Sequence, residues 1–367
     1  MADVRRQEAQ PATDEIVELA PGVLRTQLPI EMPGLGHVNC YVLEDERGFA
    51  IVDPGLPGPS AWKALEARMA QAGVPLARIH TVVVTHSHPD HFGGAARVQA
   101  ISGADIVSHS SFRLFWERWD EPDMDPEDAV DEPLTADEVA AKRMEHWNRP
   151  TPWGGAPYAP MNDTDRDRIR DEMSDPLAVP SPNVRLEDAD HVRLARRQWI
   201  AVHTPGHTPD HLCLFDPVEG LLLSGDHVLP TITPHISGVG SGPDPLADFN
   251  NSLERMHTLP GVRLVLPAHG TPFHDLYGRV THIHEHHQER LDRLRRAASG
   301  TGQAATVNEL MRHLFSERAW GSMAESETYA HLEHLRLAGE ATADRGEDGQ
   351  LYYAITEAGL GALAGEG

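Results

Sequence analysis

Three imidazoles and a carboxylate fall within six residues in Thr85-His86-Ser87-His88-Pro89-Asp90-His91, directly after the apolar run Thr81-Val82-Val83-Val84. Imidazole nitrogen and carboxylate oxygen are the ligands that a borderline cation such as zinc accepts, and two ligand pairs so close together can feed two metals rather than one. Further candidates follow at long range. His207 sits in His203-Thr-Pro-Gly-His207-Thr-Pro-Asp-His211, Asp226 in Leu221-Leu-Leu-Ser-Gly-Asp226-His227, and His269 in Val265-Leu-Pro-Ala-His269-Gly. Each lies just past an apolar run that reads as a strand, and ligands at successive strand ends converge on one edge of a sheet. A single histidine beside an apolar run is more often packed or exposed than ligating, so the argument for a metal rests on the joint set. His203, His211, His227 and His235 fall outside that set and read either as supports or substrate-facing groups, or as plain packing.

In this order the His-x-His-x-Asp-His motif, the histidine in Thr-Pro-Gly-His-Thr, the aspartate after Ser-Gly and the late Ala-His-Gly resemble the metallo-β-lactamase fold superfamily of hydrolases, over roughly residues 14–280. The resemblance implies an α/β fold: a four-layer αββα sandwich, two sheets face to face with helices outside and metals in a cleft along one edge. It implies that His86, His88 and His207 hold a first metal, that Asp90, His91 and His269 hold a second, and that Asp226 bridges them. Asp53, in Ile51-Val-Asp53-Pro-Gly55, matches the family's aspartate after an early strand, whose expected work is to orient the ligand loop by hydrogen bonds. His211 and His227 are expected beside the ligands in supporting roles. The implied cofactor is two Zn2+ per chain, with iron or manganese as the lesser alternatives.

Two zinc ions held by this set would lower the pKa of water toward neutrality and so supply hydroxide at physiological pH. That nucleophile would attack the carbonyl of an ester, thioester, lactone or amide, with the oxyanion stabilised at the site held by His86, His88 and His207, while Asp90 would steer the attack and pass a proton to the leaving group. No serine or cysteine nucleophile is required. The expected partner is therefore a small-molecule acyl substrate, thioester or lactone ahead of β-lactam. Two alternatives stand beside it: a metal-dependent endoribonuclease or phosphodiesterase, and an iron-dependent persulfide dioxygenase of the same fold. A flavo-diiron protein is disfavoured, because that motif carries a glutamate where this chain has the complete His-x-His-x-Asp-His. A non-enzymatic scaffold would need no such ligand set.

Composition bounds the rest. The 367 residues carry a formal charge of -25, and nearly all the positive charge is arginine, since Lys63 and Lys142 are the two lysines. Such a surface repels polyphosphate and anionic lipid, which counts against nucleic acid and membrane as partners. Residues 1–21 are polar with no apolar h-region, and no window approaches a membrane span, so a cytoplasmic enzyme is expected. Cys40 and Cys213 each lie in an apolar strand-like run and read as small core hydrophobes, not as a disulfide.

The elements that must position the ligands are legible in outline. Residues 22–29, 37–43 and 49–52 read as a strand meander, and 60–72 as an amphipathic helix with Trp62, Leu65 and Met69 on one face. A strand over 79–85 leads into the ligand loop, a helix over 95–101 follows, and 105–108 is a short strand. From 112 to 182 the rhythm breaks into a Pro, Asp and Glu-rich segment that holds Trp116, Trp119, Trp147 and Trp153, four of the seven tryptophans. It reads as a helical insertion over the active-site mouth, its aromatics lining a substrate pocket or a homodimer contact, with packing onto the sandwich as the plainer alternative. Residues 281–299 read as an exposed, charged linker helix. The tail, within 281–367, reads as helix (307–315), helix (327–338) and hairpin (340–355), a winged-helix-like pattern. With four arginines against eleven acidic residues in 301–367, it cannot easily hold a phosphate backbone, and a packing or dimerisation role closing one side of the pocket is expected.

Overall fold

Strand β3 (Leu35–Asp45) shows how this sequence builds layers. Successive side chains on a strand point to opposite faces. Here Val38, Cys40 and Val42 enter one apolar cluster while Tyr41 and Leu43 enter another, so both faces of the strand are buried. The same split recurs in β10 (Leu212–Asp216), where Leu212 and Leu214 face one way and Cys213 and Phe215 the other. Strands apolar on both faces require a cover on each side, and a layered sandwich follows.

The computed structural model describes residues 6–32, 34–114, 141, 149–155, 177–300 and 304–364. One sheet has seven strands in sequence order: β1 (Val17–Ala20), β2 (Val23–Met32), β3, β4 (Gly48–Val52), β5 (Ile79–Val83), β6 (Asp105–His109) and β7 (Val184–Leu186). It is antiparallel up to β4 and parallel from β4 to β7. A second sheet runs β12 (Leu264–Pro267), β11 (Leu221–Gly225), β10, β9 (Arg197–His203), β8 (His191–Leu194), with only the β11–β12 pair parallel. Between the sheets lie Val52, Val83, Val107, Leu214, Leu223 and Leu266 around Trp199, which is fully buried and donates its indole N–H to the carbonyl of Leu194 at 3.0 Å.

Helices cover the outer faces. On the seven-stranded sheet, α1 (Pro59–Gln71) and α3 (Ala95–Ser102) bury Leu65, Met69 and Val98, with Trp62 half-covered at the margin. Between them comes the one-turn helix α2 (Pro89–Phe92). On the other sheet, α4 (Pro245–Thr258) starts at Asp244, whose carboxylate accepts from the Ala247 N–H at 3.0 Å with Pro245 at the first helical position. Next to it runs α5 (Leu276–Gly300). This helix differs from its reading as an exposed linker: Ile283, His287, Leu291, Leu294 and Ala298 recur every three or four residues and are all buried. The stripe is hidden in the sequence because a histidine stands in it among charged neighbours.

The tail supplies β13 (Ala305–Thr306), α6 (Val307–Leu314), α7 (Ser322–Leu337), β14 (Ala341–Arg345), β15 (Leu351–Ile355) and α8 (Glu357–Ala364), with the strands in the order β13-β15-β14. Helix α6 opens with a capping box between Thr306 and Glu309. The tail is not a detached unit: Val307, Leu310, Leu332, Leu335 and Tyr353 share one apolar cluster with Phe249 of α4 and Leu291 of α5. Of the tryptophan-rich segment, Trp116, Trp119 and Trp147 lie outside the described residues. Trp153 is buried in that same cluster, donating to Glu325 Oε2 at 3.3 Å and lying 5.1 Å from the Tyr329 ring. The expected alternative is packing onto the sandwich; Trp153 packs instead against the tail, in the cluster the tail shares with α4 and α5. Both cysteines are buried and free, and burial pushes the Cys213 thiol up to about 12. Among the described residues no helix is long and apolar enough to cross a membrane.

Candidate metal centre

The candidate ligands leave the sheets at one edge. Asp53 follows β4, the His86 to His91 loop follows β5, His207 lies in the turn after β9, Asp226 follows β11 and His269 follows β12. Local backbone demands come with these exits. Asp53 adopts φ 54°, sparsely populated for a residue with a side chain. Gly206, at φ 131°, lies so close to α4 that a Cβ there would meet the Phe249 backbone at 2.4 Å. The turn can present His207 only because that side chain is absent.

Two donor groups result, His86, His88, His207 and Asp226 in one, Asp90, His91 and His269 in the other. In the first, His86 Nε2 is 3.0 Å from His88 Nδ1, which is 3.1 Å from His207 Nε2, and Asp226 Oδ2 is 3.5 Å from His207 Nε2. In the second, Asp90 Oδ2 lies 3.5 Å from both His91 Nε2 and His269 Nε2. Asp226 belongs to both: Oδ1 is 3.3 Å from His269 Nε2, and Oδ2 is 3.7 Å from His91 Nε2. A tetrahedral zinc ion with ligands at about 2.0–2.1 Å has edges of roughly 3.3–3.4 Å, so these separations match the edges of ligand polyhedra.

Four of the five rings are held with a lone pair facing inward. His91 Nδ1 donates to Asp53 Oδ2 at 2.9 Å, His207 Nδ1 to the carbonyl of His235 at 2.7 Å, and His269 Nδ1 to the carbonyl of His37 at 2.6 Å. The Thr85 hydroxyl gives its proton to Asp53 Oδ2 and therefore accepts from His86 Nδ1, 3.1 Å away. In all four rings a proton on Nδ1 satisfies its partner, so that a bound cation would find Nε2 as the donor atom, the tautomer a metal ligand needs. Asp53 also accepts from the Thr85 backbone N–H at 2.9 Å, so one carboxylate fixes both the loop and a ligand.

Charge and burial agree with the geometry. Burial first, then neighbouring imidazoles, hold His86 and His88 well below the ordinary histidine value, so both are neutral. For Asp226 burial works the other way, but His269 and His91 outweigh it and keep the carboxylate ionised. Burial alone would lower His91; Asp90, Asp226 and Asp53 outweigh it and raise the group well above its usual value. Carboxylates so concentrated in a buried place need positive charge beside them. His91 Nε2, His269 Nε2 and Asp226 Oδ1 are buried without a hydrogen-bond partner, and such orphans cost about 1–3 kcal/mol each unless a cation engages them. The residues therefore fit a metal centre.

Of the other expected residues, His211 accepts the Asp226 backbone N–H at Nε2 (2.9 Å) and so donates from Nδ1 to Thr204 Oγ1 (2.7 Å). It holds the backbone of the shared aspartate and has no lone pair left for a metal. His227 is fully buried against the Phe249 ring. His203 stacks on His109 at 3.7 Å between centroids, and its Nε2 meets the Pro209 carbonyl at 2.8 Å. Sequence reasoning missed the supports on the far side. His37 Nε2 accepts from Gly270 N at 3.0 Å while its Nδ1 meets the Gln10 carbonyl at 2.7 Å, and the buried carboxylate of Glu8 accepts from the backbone of Thr231 and Ile232 at 2.8 and 3.1 Å. An N-terminal strap thus braces the loops that follow β11 and β12. Only the acidic identity of Glu8 beside a short turn could have hinted at it.

Comparison with known proteins gives the same picture. Residues 33–298 match the family model of the metallo-beta-lactamase superfamily. A beta-lactamase domain protein from Burkholderia ambifaria has a similar structure, with a TM-score of 0.73 at 29% identity over 95% of both chains. A metallo-beta-lactamase family protein from Thermus thermophilus gives 0.72 at 27% identity over 92% of this chain and 100% of its own. Such coverage is reached only if the match runs past residue 298 into the C-terminal elements. An atrochrysone carboxyl ACP thioesterase from Aspergillus fumigatus is 25% identical over 83% of this chain and 77% of its own length. With its layered sheets, its buried His/Asp cluster at the strand ends and a family match across most of its length, the chain belongs to the metallo-beta-lactamase superfamily of hydrolases.

Proposed function

We propose that this protein is a dinuclear zinc hydrolase of a small acyl substrate, a thioester, lactone or ester. The observation that carries the proposal is the sharing of Asp226, whose two oxygens each approach a nitrogen of a different donor group, 3.5 Å from His207 and 3.3 Å from His269. The groups are halves of one centre. Five imidazoles and two carboxylates with no thiolate suit zinc well. When bound, two such cations polarise a carbonyl and lower the pKa of water far enough for it to attack at neutral pH.

The chain's own residues do the remaining work. Asp53, His37 and the His235 carbonyl lock ring orientation and tautomer, so that no reorganisation is needed during turnover. Asp90 is buried yet ionised, because His91 and His269 outweigh the effect of burial on its carboxyl. It takes the proton of the attacking water and hands it to the leaving group. An acyl substrate is supported by the relative named a thioesterase, and the charge of -25 argues for a small molecule over a polyanion.

Zinc-loaded protein assayed against thioester, lactone, β-lactam and phosphodiester panels is the test. Thioester or lactone hydrolysis that disappears on chelation and returns with zinc is expected, with close to two ions per chain by elemental analysis. Turnover confined to phosphodiesters, or fewer than one ion after reconstitution, would overturn the proposal.

A further inference from the structure

We infer that Glu327, on helix α7 of the C-terminal elements, is a positioning residue for the metal centre, acting through His235 on the ligand His207. The inference rests on the reading of the site as a metal centre. The path is short and each link is a hydrogen bond. His207 Nδ1 donates to the carbonyl oxygen of His235 at 2.7 Å, and the ring of that same His235 meets Glu327 Oε2 through Nδ1 at 3.2 Å. The second carboxylate oxygen of Glu327 pairs with Arg290 of α5. The angle of the His207 ring is therefore set by a carbonyl whose own residue is tied to α7.

Further contacts make the tie rigid. Gly238 N donates to Ser326 Oγ at 3.0 Å, and the Ser237 and Ser326 hydroxyls are 3.3 Å apart. A Cβ at Gly238 would meet Tyr329 Cδ1 at 2.5 Å and the Ser326 carbonyl at 2.8 Å, so only glycine lets the segment lie flat on the helix. On the other side of Glu327, its carbonyl accepts from His331 Nδ1 at 2.7 Å, and His331 Nε2 meets His287 Nδ1 of α5 at 3.1 Å. Arg290, half-buried, and the buried His331, His287 and Glu327 thus form one polar network under the 235–239 segment.

Packing alone does not call for this arrangement. Burying a carboxylate and a guanidinium costs more than burying apolar groups of the same shape, unless each partner is satisfied. Here the satisfied partners lead toward the metal ligands. Groups that accept from the far nitrogen of a ligating histidine set metal affinity, and their loss typically costs about 10–100-fold. Glu327 lies 92 residues from His235 and beyond residue 298, where the family match ends. The C-terminal elements are in this way part of the centre.

Cobalt titration of the metal-free protein tests the inference, with the visible spectrum as a second readout. His235→Ala keeps the carbonyl but releases the ring from Glu327, and leaves the Glu327–Arg290 pair intact, so the fold is preserved. His235→Asn puts an amide N–H near the position of Nδ1 and restores the link. The Ala variant keeps the accepting carbonyl and loses only its tether, so it is expected to bind the first cobalt ion more weakly by about tenfold, the low end of the range for losing the acceptor itself, with an altered first-site spectrum, the second ion within about twofold of the parent, and the Asn variant to recover most of the loss. Glu327→Gln, which keeps shape and removes charge, is expected to fall between them. Parent-like affinity and spectrum in His235→Ala, or no recovery in His235→Asn, would overturn the inference alone. A parent protein that takes up no cobalt would overturn it together with the metal-centre reading.

Discussion

Replacing Asp53 by Asn separates the role of a hydrogen-bond acceptor from that of mere shape. The carboxylate Oδ1 accepts from the Thr85 N–H, while Oδ2 accepts from the Thr85 hydroxyl at 2.8 Å and from His91 Nδ1 at 2.9 Å. An asparagine must keep its oxygen toward the backbone N–H, or two donors would face each other. Its NH2 group then takes the place of Oδ2. His91 can satisfy that donor only by moving its proton from Nδ1 to Nε2, the atom that lies among Asp90 and Asp226 and is needed for ligation. Either the wrong tautomer forms or an N–H faces an N–H in a fully buried place, at a cost of about 1–3 kcal/mol. That corresponds to roughly a 5–150-fold loss of affinity at 1.4 kcal/mol per tenfold. The expected outcome is therefore a weakening of about 10–100-fold in the second donor group, with the first much less affected. Competition against a chelator, followed by calorimetry, reads both constants. Binding at both sites within twofold of the parent would refute the tautomer argument, since no other acceptor reaches His91 Nδ1 among the described residues.

Three more outcomes are expected. Asp226→Ala removes the shared carboxylate without removing core volume, so turnover should fall by far more than tenfold while the far-ultraviolet spectrum is unchanged; activity within tenfold of the parent would refute its bridging role. Trp199→Ala empties the space between the sheets and orphans the Leu194 carbonyl, and chemical denaturation should register a loss of about 3–5 kcal/mol; a change below about 1 kcal/mol would mean the inter-sheet core is not where the strength lies. His331 is fully buried, and burial, with Glu327 opposing and Arg290 adding, lowers it to about 4. Its folded value is below its unfolded one, so it costs nothing above pH 6.5, and stability falls as the unfolded chain takes up the proton between pH 6.5 and about 4, by on the order of 3 kcal/mol. Denaturation at pH 7 and pH 4.5 should show a smaller acid loss in His331→Gln than in the parent, and an equal loss would sink the assignment.

The candidate ligands were legible as a cluster because residue sets suited to metal chemistry leave local marks. A donor that must sit at a strand end follows an apolar run, and His86 to His91, His207, Asp226 and His269 all do. Asp53 was legible for the same reason, at the end of β4. What braces them was not. Glu8 reaches Thr231 across 223 residues, and His37 reaches Gly270 across 233; neither separation leaves any periodicity near the residue itself. Helix α5 reads as polar because His287, one of its buried positions, is polar, and burial is a property of the neighbours that α4 and α7 bring. Trp153 shows the limit from the other direction: an aromatic in a polar stretch announces burial but not the partner, which is Tyr329 far along the chain.

Every donor group takes members from both sheets. His86, His88, Asp90 and His91 follow β5 in the seven-stranded sheet, whereas His207, Asp226 and His269 follow β9, β11 and β12 in the five-stranded one. Two cations would rivet the sandwich along one rim, much as a disulfide crosslinks distant parts of a chain, and a crosslink closing a loop of about 100 residues is worth about 4.7 kcal/mol in the chain-entropy picture. The apolar layers hold the body of the molecule without that help. Stripping metal should therefore unfasten the rim while leaving the layers closed, so that amide exchange quickens in residues 84–94, 204–211 and 226–229 and stays slow at Trp199 and Leu214. Metal supply would then govern how often the seam opens, and with it how readily a protease can enter.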